Sequence, residues 1–213
     1  DKNTYTAGAS TPSDRTHNAQ QENKIDAYQW KIAHGGPTQV QLDTLAYLCE
    51  TGDLDKAKKL GLSLAEGFPD HPFAWKILGS LMLQSGSPNE SLMYLQQATA
   101  LAPERAENHF YLGNAMSVLG RLDEARECYE RAVVLDPCPP EAHFNLGNTF
   151  REFGELERAK ASFCKAVESR PEYAEAHFNL AKTLCDLGRV GDAAQSYQNA
   201  ITSQPDFAEA YFN

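Results

Sequence analysis

From Thr38 onward, apolar and polar residues alternate with the period of an α-helix. Leu122, Ala125, Tyr129 and Ala132 make one stripe, with Asp123, Glu124, Arg126 and Glu127 filling the positions between. Apolar residues spaced by three, four and seven positions share one helical face. The spacing of Leu146 to Phe150, and of Leu180 to Leu184, is of the same kind. These stripes come in pairs. A turn such as Gly120-Arg121-Leu122-Asp123 separates the two members of a pair, and a proline ends each pair.

The pairs repeat. His109, His143 and His177 are each 34 residues apart, and Tyr211 falls at the next step. Phe110, Phe144, Phe178 and Phe212 keep that interval. So do Pro103, Pro137, Pro171 and Pro205, and Ala98, Ala132, Ala166 and Ala200. The repeats span 38–71, 72–105, 106–139, 140–173 and 174–207, with a partial one over 208–213. Small residues at Gly79, Gly113 and Gly147 predict close approach of two helices. The repeat 38–71 departs from the pattern. It has Gln41 where the others have Trp75 or His, and Gly61 where they have a large apolar residue. In 174–207, Ala181 replaces the usual glycine.

A 34-residue period with W-x-x-L-G-x-x-Y, then A-x-x-x-F, then P is the tetratricopeptide signature. From Thr38 to its end the sequence resembles that family. The resemblance implies an all-α, right-handed superhelical solenoid of antiparallel helix pairs. One hairpin cannot bury its own face, so neighbours stack and leave a groove. Runs such as Ala-Glu-Ala-His-Phe-Asn-Leu are similar to the arrays that precede O-linked N-acetylglucosamine transferases and related bacterial transferases. Those arrays grip extended protein substrates with an asparagine ladder. Chaperone-binding members instead carry a clamp of Lys, Asn, Asn, Lys and Arg for a carboxylate. Here Phe110 and Glu175 stand where the clamp needs lysines, so that pattern is broken.

By this resemblance the groove residues are Asn145, Asn179 and Asn213, with Asn114, Asn148 and Lys182 a turn further along. Phe110, Phe144 and Phe178 add apolar rungs, and Glu141 and Glu175 acidic ones. An asparagine amide offers both a donor and an acceptor, so it suits a peptide backbone of any sequence. The expected partner is a protein or an extended peptide. The expected role is a protein–protein interaction scaffold. Two other roles fit the same sequence: the non-catalytic recognition arm of a larger transferase, or a self-assembling array.

Composition narrows this further. The net charge is −10, and the stretch before Thr38 is charge-balanced, so the repeats carry all of it. An acidic body repels phosphate backbones, which argues against nucleic acid. No apolar run is long enough for a membrane span. No phosphate loop, nucleophile elbow or H-E-x-x-H occurs, so neither an enzyme nor a cofactor is expected. The repeated histidines, about 10 Å apart by helix packing, are too far apart for one zinc ion and are expected to be packing residues. Five cysteines without a C-x-x-C pair suggest free thiols in a reducing, cytoplasmic compartment.

The ends differ from the middle. Residues 1–21 hold no Val, Leu or Ile and predict a disordered tail. Residues 22–37 predict a capping helix through Ile25, Tyr28 and Ile32, stopped by Gly35-Gly36-Pro37. The last repeat breaks off, which suggests a piece of something longer. It also predicts an uncapped face at Leu180, Leu184 and Tyr197 that promotes homo-oligomers.

Overall fold

The structure, a computed structural model, describes residues 36–135 and 138–206. The tail 1–21, nearly all of the expected cap 22–37, and the partial repeat 208–213 lie outside the described residues. The chain divides into two compact units, one ending at Thr44 and one beginning at Leu45. The described residues form ten α-helices and no strand: α1 (Gln39–Glu50), α2 (Leu54–Gly67), α3 (Pro72–Gln84), α4 (Pro88–Leu101), α5 (Ala106–Val118), α6 (Leu122–Val133), α7 (Pro140–Glu152), α8 (Leu156–Ser169), α9 (Ala174–Asp186) and α10 (Val190–Ser203).

In the first unit, Thr38 opens α1. Its backbone N–H donates to Gln41 Oε1 at 2.9 Å, while the Gln41 N–H donates to Thr38 Oγ1 at 3.3 Å. This is a reciprocal capping box. It accounts for Gln41 at a position where later repeats carry Trp or His.

In the second unit, α3–α4, α5–α6, α7–α8 and α9–α10 pack as hairpins, and each second helix packs on the first helix of the next repeat. The hairpin turn is the same each time. After α5, Gly120 takes φ 74°, its N–H donates to Ser117 O at 2.9 Å, and the Arg121 N–H donates to Met116 O at 2.9 Å. This is a Schellman ending, and the positive φ is what requires glycine.

Close approach inside each hairpin comes from a small residue facing a large one. A Cβ on Gly113 would stand 2.6 Å from Tyr129 Cε1, and one on Gly147 would stand 2.6 Å from Phe163 Cε1. Gly79 faces Leu95 in the same way. The first repeat reverses the pair: Leu45 is the large member, fully buried, and Gly61 the small one. Leu45 Cδ1 lies 3.9 Å from where a Gly61 Cβ would be, and Leu78 Cδ2 lies 2.9 Å from it. Gly61 is therefore the hole that Leu78 of the next repeat fills, with Leu45 in ordinary contact at its edge.

The Trp/His slot does more than pack. Trp75 Nε1 donates to Pro69 O, and His109 Nε2 and His177 Nε2 to Pro103 O and Pro171 O, each at 2.8 Å. A carbonyl only accepts, so each imidazole carries its proton on Nε2. Indole and imidazole interchange here because both place a ring N–H on the proline carbonyl that ends the preceding repeat. The expected bare face is corrected: Leu180, Leu184 and Tyr197 are 7%, 5% and 8% exposed. Helices α8 and α10, which flank α9, cover the two leucines, and Phe178 packs its ring against Tyr197.

Denaturant melts test both the exchanged knob and the ring N–H. Gly61→Leu alone should cost about 1–3 kcal/mol through overpacking, and Leu45→Ala alone about 2–5 kcal/mol. The double variant should cost clearly less than the sum, because it restores the size order of the later repeats. His109→Phe should lose about 1 kcal/mol with its hydrogen bond, while His109→Trp should hold wild-type stability.

Candidate peptide-binding groove

The polar stripe of the first helices is built at two positions per repeat. Asn114 on α5 and Asn148 on α7 occupy one, and Asn145 on α7 and Asn179 on α9 the other. All four lie inside helices, where the backbone groups are already bonded to one another. Only the side-chain amides remain to bond across repeats.

They do so in a fixed direction. Asn145 Nδ2 donates to Asn114 Oδ1 at 2.8 Å, and Asn179 Nδ2 donates to Asn148 Oδ1 at 3.0 Å. Tyr129 Oη also donates to Asn114 Oδ1 at 2.8 Å. Burial pushes the Tyr129 hydroxyl well above the usual phenol range, so it stays a neutral donor. The Asn114 oxygen is thus consumed by two donors, which leaves its Nδ2 group to face outward. Asn148 is oriented the same way by Asn179.

An open cleft of about 490 Å³ runs along this stripe. Asn114, Ser117 and Val118 of α5 form one wall. Asn145, Asn148, Thr149 and Glu152 of α7 form the other, with Leu122 and Tyr129 of α6 between them. Val118 is 67% exposed at its rim. Sequence reasoning missed Tyr129, Ser117, Val118, Thr149 and Glu152. Their repeat positions, about a turn from the asparagines, are the signal that could have found the last four.

Other expected site residues sit elsewhere. Phe178 is 7% exposed and packs edge-on against Tyr197, ring centroids 5.7 Å apart. Phe144 is half-buried against Phe163 at 5.9 Å and Tyr173 at 5.1 Å, and Phe110 against Tyr129 at 6.4 Å. The residue directly after the Trp/His slot turns toward its own repeat's second helix, so these rings are packing rather than rungs of a groove. Glu141 is tied to Arg170 in an ion pair, which removes it as a free acidic rung. Glu175 is exposed. Lys182 lies with Nζ 5.5 Å from the Phe178 ring centroid. Asn213 lies outside the described residues.

Asn108 was also missed. It is 1% exposed and donates Nδ2 to Ala98 O at 3.0 Å and Ala102 O at 3.1 Å. It adds a second hydrogen bond to carbonyls that already accept the Ala102 and Arg105 N–H groups, and so ties α5 to the end of α4. Burial pushes Cys128 up to about 11 and raises Cys49 and Cys164, the opposite of a nucleophilic cysteine. No group of His, Cys, Asp and Glu able to hold a metal occurs among the described residues. None of the helices among them is long and apolar enough to cross a membrane.

The same arrangement of hairpins is found in known proteins. A TPR repeat model matches residues 119–152, and a tetratricopeptide repeat model matches residues 144–208. A search of curated protein sequences finds no match. Among solved structures, YrrB, described as a TPR protein with an unusual peptide-binding site, is 21% identical with a TM-score of 0.65. That match covers 92% of this chain and 95% of YrrB. TTC0263, a thermophilic TPR protein in Thermus thermophilus, is 23% identical with a TM-score of 0.64, covering 82% of this chain and 95% of its own. PilF of Pseudomonas aeruginosa is 18% identical with a TM-score of 0.73, covering 80% of this chain and 78% of its own. By these matches and by their glycine–aromatic pairs, residues 119–208 are tetratricopeptide repeats, and the described hairpins share the fold of the solved tetratricopeptide repeat proteins.

Proposed function

We propose that the chain is a non-catalytic protein-interaction scaffold that holds an extended peptide along its asparagine stripe. The observation that carries this reading is the locked orientation of the amides. Asn114 and Asn148 each spend their oxygen on the next repeat and turn an Nδ2 group outward. Two donors held one repeat apart suit acceptors spaced along a chain, and an extended backbone supplies a carbonyl at every residue. Asn145 Oδ1 adds an acceptor for a peptide N–H. The amides are preorganised, so binding does not have to freeze them.

The charge preference rests on Glu152. It is exposed and lines the cleft, whereas Glu141 is neutralised by Arg170. A basic residue of the peptide is favoured over Glu152, and salt weakens that preference. The five free thiols fit a cytoplasmic location. The fold neighbour with a described peptide-binding site is consistent with this role.

Peptides selected from a random display library and measured by fluorescence anisotropy test the reading. Asn114→Ala with Asn148→Ala should weaken them by about 1–3 kcal/mol. It also strips the Tyr129 hydroxyl and the Asn145 amide of their acceptor, a loss that the better helix propensity of alanine only partly offsets, so affinity is compared well below the melting transition of the variant. Affinity unchanged in that double variant would remove the stripe from the mechanism. Tyr129→Phe should lower stability by about 1 kcal/mol through its lost hydrogen bond. It should weaken the same peptides only slightly, because Asn145 still holds the Asn114 oxygen.

A further inference from the structure

Because the repeats are equivalent by a shift of 34 residues, each cleft between second helices has a counterpart one repeat away. The counterpart between α6 and α8 is shut. Arg126 of α6 reaches Glu155 at 3.5 Å, and Arg158 of α8 reaches Glu130 at 2.7 Å. The Arg158 guanidinium also lies 4.0 Å from the Phe150 ring centroid and roofs it. Two crossed ion pairs and a cation–π lid close the surface.

The equivalent cleft between α8 and α10 has lost every one of these elements. Lys160 and Arg189 stand where Arg126 pairs with Glu155, so a cation now faces a cation. Cys164 and Asp192 stand where Glu130 pairs with Arg158. Leu184 replaces Phe150, and with Asp192 in place of arginine nothing stacks over it. No ion pair joins α8 to α10 among the described residues. An open cleft of about 330 Å³ lies here, with Leu180 and Leu184 at its foot and Lys160, Cys164, Arg189 and Asp192 at its rim.

We propose that this cleft is a second docking site, which takes an aliphatic side chain with a neighbouring carboxylate on a partner polypeptide. The apolar floor accepts the aliphatic group. Lys160 and Arg189 meet the carboxylate from the two sides. Their present partners, Glu157 and Asp192, are three residues away on the same helix end, and such exposed pairs are weak enough to exchange. Burial and the Glu168 carboxylate push the Cys164 thiol up, while Lys160, Arg189 and Lys165 act against them, so both rim cations lie within electrostatic reach of Cys164. The cleft is open along one side and shallow, which suits side chains of a polypeptide rather than an engulfed small molecule. It lies on the second-helix side and uses none of the asparagine stripe, so it does not depend on the function proposed above.

The molecule itself supplies the control variant. Leu184→Phe with Arg189→Glu rebuilds two features of the closed neighbour: the large floor residue and the acid facing Lys160. The probe is a capped hexapeptide of alternating leucine and glutamate between glycines, with its lysine counterpart. The readout is the methyl resonances of Leu180 and Leu184 in the full chain. The glutamate peptide should shift both saturably, and the lysine peptide should bind roughly tenfold more weakly or not at all. The double variant should lose the response while melting at the wild-type temperature. If it melts early, Arg189→Glu alone must still weaken the glutamate peptide several-fold relative to wild type. Equal shifts by both peptides, no shift by either, or an unaltered response in the variants would overturn the proposal. Shifts that follow protein concentration without peptide would overturn it in favour of a second copy of this chain.

Discussion

The constraint on which the rest of the structure depends is the pairing of a side chain of almost no volume with a ring or leucine across each hairpin. Gly113 against Tyr129 and Gly147 against Phe163 let two helix backbones approach more closely than any Cβ would permit. Tyr129 and Phe163 are 2% and 0% exposed as a result. That approach has a consequence for function. It carries the Tyr129 ring under Gly113 far enough for its hydroxyl to emerge beside Asn114, where it fixes the amide. The packing pair and the asparagine stripe are therefore one device. Gly113→Ala would displace the ring and, with it, the hydroxyl that orients the asparagine.

Much of this was legible in the sequence because a solenoid repeats its physics. The 34-residue interval, the hairpins, the small positions and the asparagine positions all follow from a pattern that recurs every repeat. What was not legible lies where one side chain has two open directions. The Phe110, Phe144 and Phe178 column has a perfect period, yet period says nothing about which neighbour a ring leans on. The rings lean on their own second helix. The asparagines share one polar stripe, as expected, but their amides are not free: half of their capacity is spent on one another. Gln41 and Gly61 looked like decay of the motif. Each is instead explained by a partner, Thr38 for the cap and Leu78, with Leu45 beside it, for the volume.

Charge shows the same division between composition and arrangement. The net −10 suggests self-repulsion along the array. Arrangement offsets it, because basic residues reach acids of neighbouring repeats: Lys76 to Glu107 at 2.5 Å, Arg158 to Glu130 at 2.7 Å, and Arg151 to Asp186 at 3.2 Å. Individually such pairs are worth at most about 1 kcal/mol at a surface. Their value is in register, since each joins residues of successive repeats and is broken by any slip of one hairpin against the next.

A repeat array also carries its own internal comparison. In a globular domain, a cation without a cross-helix acid or a leucine at the foot of a cleft has no reference state in the same molecule. Here the residue 34 positions earlier is that reference, at the same place on the same kind of helix. Against it, ordinary features become informative. Asn108 stands where three other repeats have alanine (Ala74, Ala142 and Ala176) and the first has Val40, and it bonds the end of α4. The cleft between α8 and α10 differs from its neighbour at each position that shuts the earlier one. A single replacement of that kind is drift. Replacement of both members of an ion pair, together with the ring and its covering guanidinium, changes the cleft from sealed to open and leaves the hairpins that bound it unaltered.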